Sequence, residues 1–238
     1  MTRNVEHFHL VLMPGLDGTG KSFEPILPYL NRGQKRTIVS YPPDRILSFE
    51  KTVEHAASQI PEGVLPVIIA ESFSGPVAVR MIASGRIAAR ALVLCATFAR
   101  PPHPVLWRIA RGLRLPALIR PEMPKLFFRF VIGDDQWIDA LMPLWKKVHK
   151  GVEPRVMAHR LSLINETDVT RDLTKLTLPC CYLKATHDRI VPASCLDDYR
   201  RGIPHLRVVE MDAPHFILQA RPQACMEAMM SFLREQGA

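Results

Sequence analysis

Hydrophobic residues in this chain gather into short unbroken runs separated by helix-length stretches of mixed polarity. The runs are FHLVLM (8–13), RTIVSY (36–41), LPVIIA (65–70), RALVLCA (90–96), PCCYLKA (179–185) and HLRVVEM (205–211). Most are rich in Val, Ile and Leu without polar alternation, which predicts strands covered on both faces. Helical periodicity fills the gaps over 48–60, 74–85, 193–201 and 222–235. Strand and helix in turn predict an α/β fold, a mostly parallel sheet of about six strands with crossover helices.

One interval breaks the alternation. Between the run ending near Ala96 and the one opening at Pro179 no good strand pattern occurs, and prolines recur at 101, 102, 104, 116, 121, 124, 143 and 154. Pro154 suits a first helical turn, and Val156, Met157, Leu161 and Ile164 follow at helical spacing. Trp137, Leu141, Leu144, Trp145 and Val148 form a second apolar stripe, which Pro143 is expected to kink or split. A loop this long without structure of its own is improbable, so the interval predicts an inserted helical unit. The expected organisation is a core of 1–99 and 177–238 with a cap of 100–176.

The chain has 238 residues, 47% hydrophobic and 23% charged, which suits one domain with an insertion and excludes a disordered chain. The longest apolar run, 64–70, falls well short of the roughly 18 residues of a spanning helix. Acidic Glu6 and two histidines near the start give the wrong shape for a secretory signal. Five cysteines without metal-ligand spacing predict reduced thiols and a cytoplasmic setting, with Cys180 and Cys181 in the core.

Two motifs compete for the loop after the first strand. PGLDGTGKS (14–22) contains a literal phosphate-loop pattern, with Gly15, Gly20, Lys21 and Ser22 at the required spacing. Pro25 and Pro28 disturb the helix that such a loop needs, and no partner strand ends in an Asp that would hold magnesium. The other motif is AESFSG (70–75), a strand running into a helix through a small-x-Ser-x-small turn. A nucleophilic serine on such a turn needs small neighbours where the backbone doubles back. Ala70 and Ser74 meet that need around Ser72, and Gly75 permits close helix–sheet contact; Ser74 itself is the poorer candidate.

A serine hydroxyl needs a base, and the base needs a group to orient it. Asp188 follows the fifth run and His215 the sixth, so Ser72, Asp188 and His215 all stand just past a strand. Asp168 and Asp172 are alternative acids, and His187 has no assigned role. Acyl transfer also needs donors for an oxyanion. The amide of Phe73 is one, and that of Leu16, after Pro14-Gly15, is the other.

With LMPGLDGTG, AESFSGP, DRIVP and APHFILQARP in this order, the chain resembles the α/β-hydrolase superfamily, specifically small capped serine esterases and thioesterases. It is similar to the carrier-protein methyl ester carboxylesterases among them. Pro14 replaces the His common in the family's first loop, and the usual leading hairpin is missing. The resemblance implies hydrolysis of a carboxylic ester or thioester without metal or cofactor. Transfer to another alcohol, or a silent binding module on the same fold, remains open.

The formal charge of +8 is unevenly placed. Residues 100–160 hold twelve Lys/Arg against five Asp/Glu, with Trp107, Trp137, Trp145 and Phe128 among their aromatics. Arg108, Arg111 and Arg114 recur every third residue on one helical face. A solvated basic face over a packed underside is one reading of this segment. Docking of an acidic acyl carrier protein or the phosphates of coenzyme A is another, and contact with anionic lipid a third. Nucleic acid ranks last, since no recognition motif accompanies the charge. The four named aromatics are candidates to line the substrate site, and the three arginines to dock a partner.

Overall fold

The computed structural model describes residues 8–31, 33–102, 128–129, 132–133 and 135–236. Six strands form one parallel sheet: β1 (Leu10–Met13), β2 (Arg36–Ile38), β3 (Val67–Glu71), β4 (Ala91–Cys95), β5 (Cys180–Ala185) and β6 (Arg207–Met211), in the order β2-β1-β3-β4-β5-β6. The register sets Leu12 beside Ile69, Val67 beside Ala91 and Leu94 beside Tyr182. Helices are α1 (Phe49–Ala57), α2 (Ser74–Ala83), α3 (Asp135–His149), α4 (Pro154–Glu166), the single turn α5 (Thr170–Leu173), α6 (Cys195–Gly202), the single turn α7 (Ile217–Ala220) and α8 (Pro222–Glu235).

Alternate strand residues feed two separate cores, because side chains along a strand point to opposite faces. Val11, Ile68, Leu92 and Cys180 pack with Val53, Val77, Leu173 and Tyr199 from α1, α2, α5 and α6. Leu12, Ile69, Val93 and Cys181 pack with Phe23, Ile26, Cys225, Met229 and Phe232 on the other face. Adjacent Cys180 and Cys181 thus enter different cores, and all five cysteines are free thiols in buried positions. The continuous apolar runs have this double coverage as their cause.

Several expected boundaries shift. The second strand stops at Ile38 rather than 41, because the Tyr41 amide turns away to donate to Gly18 O at 2.7 Å. The helix expected over 193–201 starts at Cys195, whose amide donates to Pro192 O at 2.9 Å. Pro143 does not split α3, which runs through it from 135 to 149. A proline costs an interior helix about 3 kcal/mol. Here burial of Trp137, Ile138 and Leu141 with Phe128 and Ile132 offsets it. Pro154 occupies the first turn of α4, as the spacing predicts. Among the described residues no helix is long and apolar enough to cross a membrane.

Candidate active site

The carboxyl ends of a parallel sheet are where loops from several strands converge. Ser72 follows the last residue of β3 directly. Its φ of 50° lies in the left-handed region that side chains other than glycine avoid, a strain of about 1–3 kcal/mol. Neighbours hold it there. Its amide donates to Cys95 O at 2.9 Å, and its carbonyl accepts from the Gly75 amide at 3.0 Å and the Thr97 hydroxyl at 2.5 Å. Gly75 leaves no room for a side chain: a Cβ there would lie 2.0 Å from Thr97 Oγ1 and 2.7 Å from Thr97 Cβ. Ser72 thereby faces out of the strand end at the start of α2.

His215 Nε2 lies 3.0 Å from Ser72 Oγ, and its Nδ1 lies 2.8 Å from Asp188 Oδ2. The carboxylate can only accept, so Nδ1 carries the proton and Nε2 presents its lone pair to the serine hydroxyl. Asp188 is fixed in turn, since Oδ1 accepts from the amides of Ile190 and Val191, each at 2.8 Å. The two loops are tied together by His187 N donating to Ala213 O at 3.0 Å. The His215 and Asp188 side chains are both nearly enclosed, 5% and 6% exposed. Burial alone would lower the imidazole, but the charge and hydrogen bond of Asp188, joined by Glu71, hold it above its ordinary value.

The loop after β1 runs beside the serine, and a Cβ placed on Gly15 would lie 3.7 Å from Ser72 Cβ. Among the described residues neither the Leu16 nor the Phe73 amide has a hydrogen-bond partner. Both are therefore available to an incoming oxygen. The segment after this loop forms two short 3₁₀ turns, Lys21–Phe23 and Leu27–Tyr29, in place of the α-helix that a phosphate loop requires, and Lys21 is exposed. The glycines here shape a turn beside Ser72.

Ser74, Asp168, Asp172 and His187 each have other partners. Ser74 is buried, hydrogen-bonded to Tyr41 Oη at 2.6 Å and donating to Pro14 O. Asp168 accepts from Thr170, and Asp172 pairs with Arg80 and Lys175. His187 is exposed and pairs with Asp212.

The aromatic candidates divide. Phe128 and Trp137 belong to the small core beneath α3, where Arg221 stacks over the Trp137 ring at 4.5 Å. Trp145 reaches toward His215: its ring stacks on His149 and meets Phe216 edge-on at 5.9 Å, and Phe216 in turn meets His215 edge-on at 5.5 Å. Trp107, Arg108, Arg111 and Arg114 lie outside the described residues. Of the basic residues nearby, Lys147 pairs with Glu24 and Arg155 with Glu153, while Lys146 and Lys150 are exposed.

Three residues beside the site escaped the sequence reading. Glu71, immediately before Ser72, is buried, and its carboxyl accepts from Gln219 Nε2 at 3.2 Å. Arg160 is one of the twelve basic residues of 100–160, yet its side chain is buried against the loop after β1. Its position was the available signal: it falls directly between Met157 and Leu161 on the apolar stripe of α4. Among the described residues no cluster of three or more His, Cys, Asp or Glu side chains is placed to hold a metal ion.

A model of the alpha/beta hydrolase family matches residues 9–228. No curated protein sequence matches the chain. Among solved structures, the enol-lactonase from Burkholderia xenovorans LB400 aligns with a TM-score of 0.75 at 17% identity, covering 95% of this chain and 91% of that one. A thermophilic esterase from Thermogutta terrifontis aligns at 0.77 and 20% identity, covering 96% and 90%. The esterase EaEST from Exiguobacterium antarcticum aligns at 0.79 and 12% identity, covering 96% and 92%. At these identities the likeness is one of fold.

Proposed function

The chain belongs to the alpha/beta hydrolase family, and we propose that it is a serine hydrolase cleaving a carboxylic ester or thioester through an acyl-enzyme. The observation that carries this reading is the continuous relay from Asp188 through His215 to Ser72, at 2.8 and 3.0 Å, beside two amides without a partner among the described residues. His215 Nε2 takes the Ser72 proton as Oγ bonds to the substrate carbonyl carbon. The carbonyl oxygen, now an oxyanion, is held by the Leu16 and Phe73 amides, each donor of this kind being worth about 3 kcal/mol. The imidazolium, stabilised by Asp188, returns its proton to the departing alcohol or thiol. Water then repeats the sequence in reverse roles: His215 takes its proton, the hydroxide oxygen bonds to the acyl carbon, and Ser72 leaves with that proton restored.

The basic character of 100–160 and the exposed Lys146 and Lys150 support a substrate attached to an anionic carrier, such as an acidic acyl carrier protein or coenzyme A, over an uncharged one. A fluorophosphonate probe tests the enzyme reading. It is expected to label the folded wild-type chain on Ser72 and to leave Ser72→Ala unlabelled. Equal labelling of both, or of neither, contradicts the reading.

A further inference from the structure

The loop after β1 is held through its carbonyls. Pro14 O accepts from the Ser74 hydroxyl, Gly15 O from the Gly18 amide at 3.1 Å, and Gly18 O from the Tyr41 amide at 2.7 Å. The two between them, Leu16 O and Asp17 O, accept from the same nitrogen, Nη1 of Arg160, at 3.0 and 2.7 Å. Its other terminal nitrogen donates to Pro42 O at 2.9 Å, so one guanidinium joins two loops. Five successive carbonyls are thus engaged, while the Leu16 amide keeps no partner among the described residues.

Arg160 comes from α4, whose Val156 and Met157, with Val152 just before the helix, also receive the Leu16 side chain. The arginine is 5% exposed, and among the described residues it forms no ion pair. Among the described residues its hydrogen bonds all go to backbone oxygens, and its Cζ sits 5.7 Å from the Tyr41 ring centroid. Burying a cation without a directly bonded carboxylate is costly; the charge of nearby Asp17 offsets this only in part, and burial leaves the guanidinium below its ordinary value. The planar fork of five donors suits the holding of several carbonyls at fixed angles. Gly18 accommodates it: with φ at +69°, a Cβ there would fall 2.6 Å from Arg160 Nη1.

The peptide unit is planar and trans, so C=O and N–H point in opposite directions. Tying Gly15 O back into the turn sends the Leu16 N–H the other way, and clamping the next two carbonyls fixes the adjoining peptide planes. We propose that Arg160 is a positioning residue for the oxyanion site, clamping the loop after β1 from α4 so that the Leu16 amide is held ready for the developing charge. The proposal rests on the serine-hydrolase reading above and adds a residue outside the Ser72–His215–Asp188 relay. It also gives α4 a part in the chemistry, since displacing that helix would loosen one oxyanion donor.

The test uses the full chain with p-nitrophenyl acetate, comparing wild type, Ser72→Ala, Arg160→Ala and Arg160→Lys. Loss of a donor predicts that kcat for Arg160→Ala falls about 100-fold with KM changed less than about threefold. Affinity for an aryl trifluoromethyl ketone, which forms a hemiketal oxyanion on the serine, is expected to weaken in parallel with kcat. Affinity for an unreactive ketone of the same shape is expected to hold. Added guanidinium is expected to restore part of the Arg160→Ala rate and to leave wild type unchanged. Arg160→Lys keeps the charge but cannot span three carbonyls, and about a tenfold loss of kcat is expected. It also serves as the test if Arg160→Ala does not fold. An unaltered kcat in either folded variant would overturn the proposal, as would equal loss of affinity for both ketones without guanidinium rescue. A wild-type rate that survives in Ser72→Ala would instead remove the serine-hydrolase reading itself.

Discussion

Gln219 donates a hydrogen bond from Nε2 to the buried carboxyl of Glu71 at 3.2 Å, directly behind the strained turn that carries Ser72. Burial pushes the Glu71 carboxyl up to about 7, against the Gln219 hydrogen bond that lowers it and with the charge of Asp17 raising it further. A carboxyl so placed is still largely protonated at pH values where an exposed glutamate has ionised.

Stability is expected to record this. Between the ordinary value of 4.5 and about 7, folded Glu71 keeps a proton that the unfolded chain has lost. Its contribution to stability therefore falls as pH rises through that window and levels off above it. Glu71→Gln removes the effect, so the variant gains on wild type with rising pH, by about 3 kcal/mol at most on a scale of about 1.4 kcal/mol per pH unit. Urea midpoints at pH 5 and pH 8 measure it. A constant difference between the two proteins would show that Glu71 ionises normally.

Activity gives a second readout of the same carboxyl. On the proposed mechanism His215 must be neutral to accept the serine proton, so kcat/KM is expected to rise with pH through an apparent value above 6.5. Ionised Glu71 is one of the groups raising His215, so Glu71→Gln should move this acid limb to lower pH. Asp188→Asn removes the main partner and the fixed tautomer, and kcat should fall about 10⁴-fold. An acid limb unmoved in Glu71→Gln would separate Glu71 from the base.

The turn itself is tested at Gly75. A Cβ there meets Thr97 at 2.0–2.7 Å, so Gly75→Ala must displace the hydroxyl that holds the Ser72 carbonyl. A loss of about 1–3 kcal/mol is expected, as for other overpacked sites. Adding Thr97→Ala should return part of it, a non-additivity expected for touching residues. Strict additivity in thermal or urea melts would mean that the contact is not the cause.

How far the sequence carries depends on the kind of force involved. The positions of the six strands were legible because burial on both faces writes continuous apolar runs such as 65–70 and 90–96, whereas their order in the sheet was not. The placing of Ser72, Asp188 and His215 was legible because each stands a few residues past such a run. Interactions made by polar atoms across long separations were not. Arg160 reads as one more positive charge until three carbonyls from Leu16, Asp17 and Pro42 are seen to surround it. Glu71 reads as an ordinary glutamate until β1 and β4 enclose its strand. Helix α3 continues through Pro143 because packing of its apolar stripe outweighs one lost backbone bond. The four-residue turn α7 is too short to show periodicity.

The basic segment makes a separate prediction. If it receives an anionic carrier, kcat/KM for a carrier-bound acyl ester should fall between 50 and 500 mM salt, on the order of tenfold, while p-nitrophenyl acetate turnover stays level. Parallel salt responses for the two substrates would rule out docking by charge.

The central claim is that Ser72 carries the acyl group. Its most direct measurement is the intact mass of the protein quenched within the first turnovers of a p-nitrophenyl ester, followed by peptide mapping. The expected result is one acyl unit added, located on Ser72, at wild type and absent from Ser72→Ala, with a matching burst of p-nitrophenol. Undiminished turnover by Ser72→Ala, or an acyl group mapped to another residue, would contradict it.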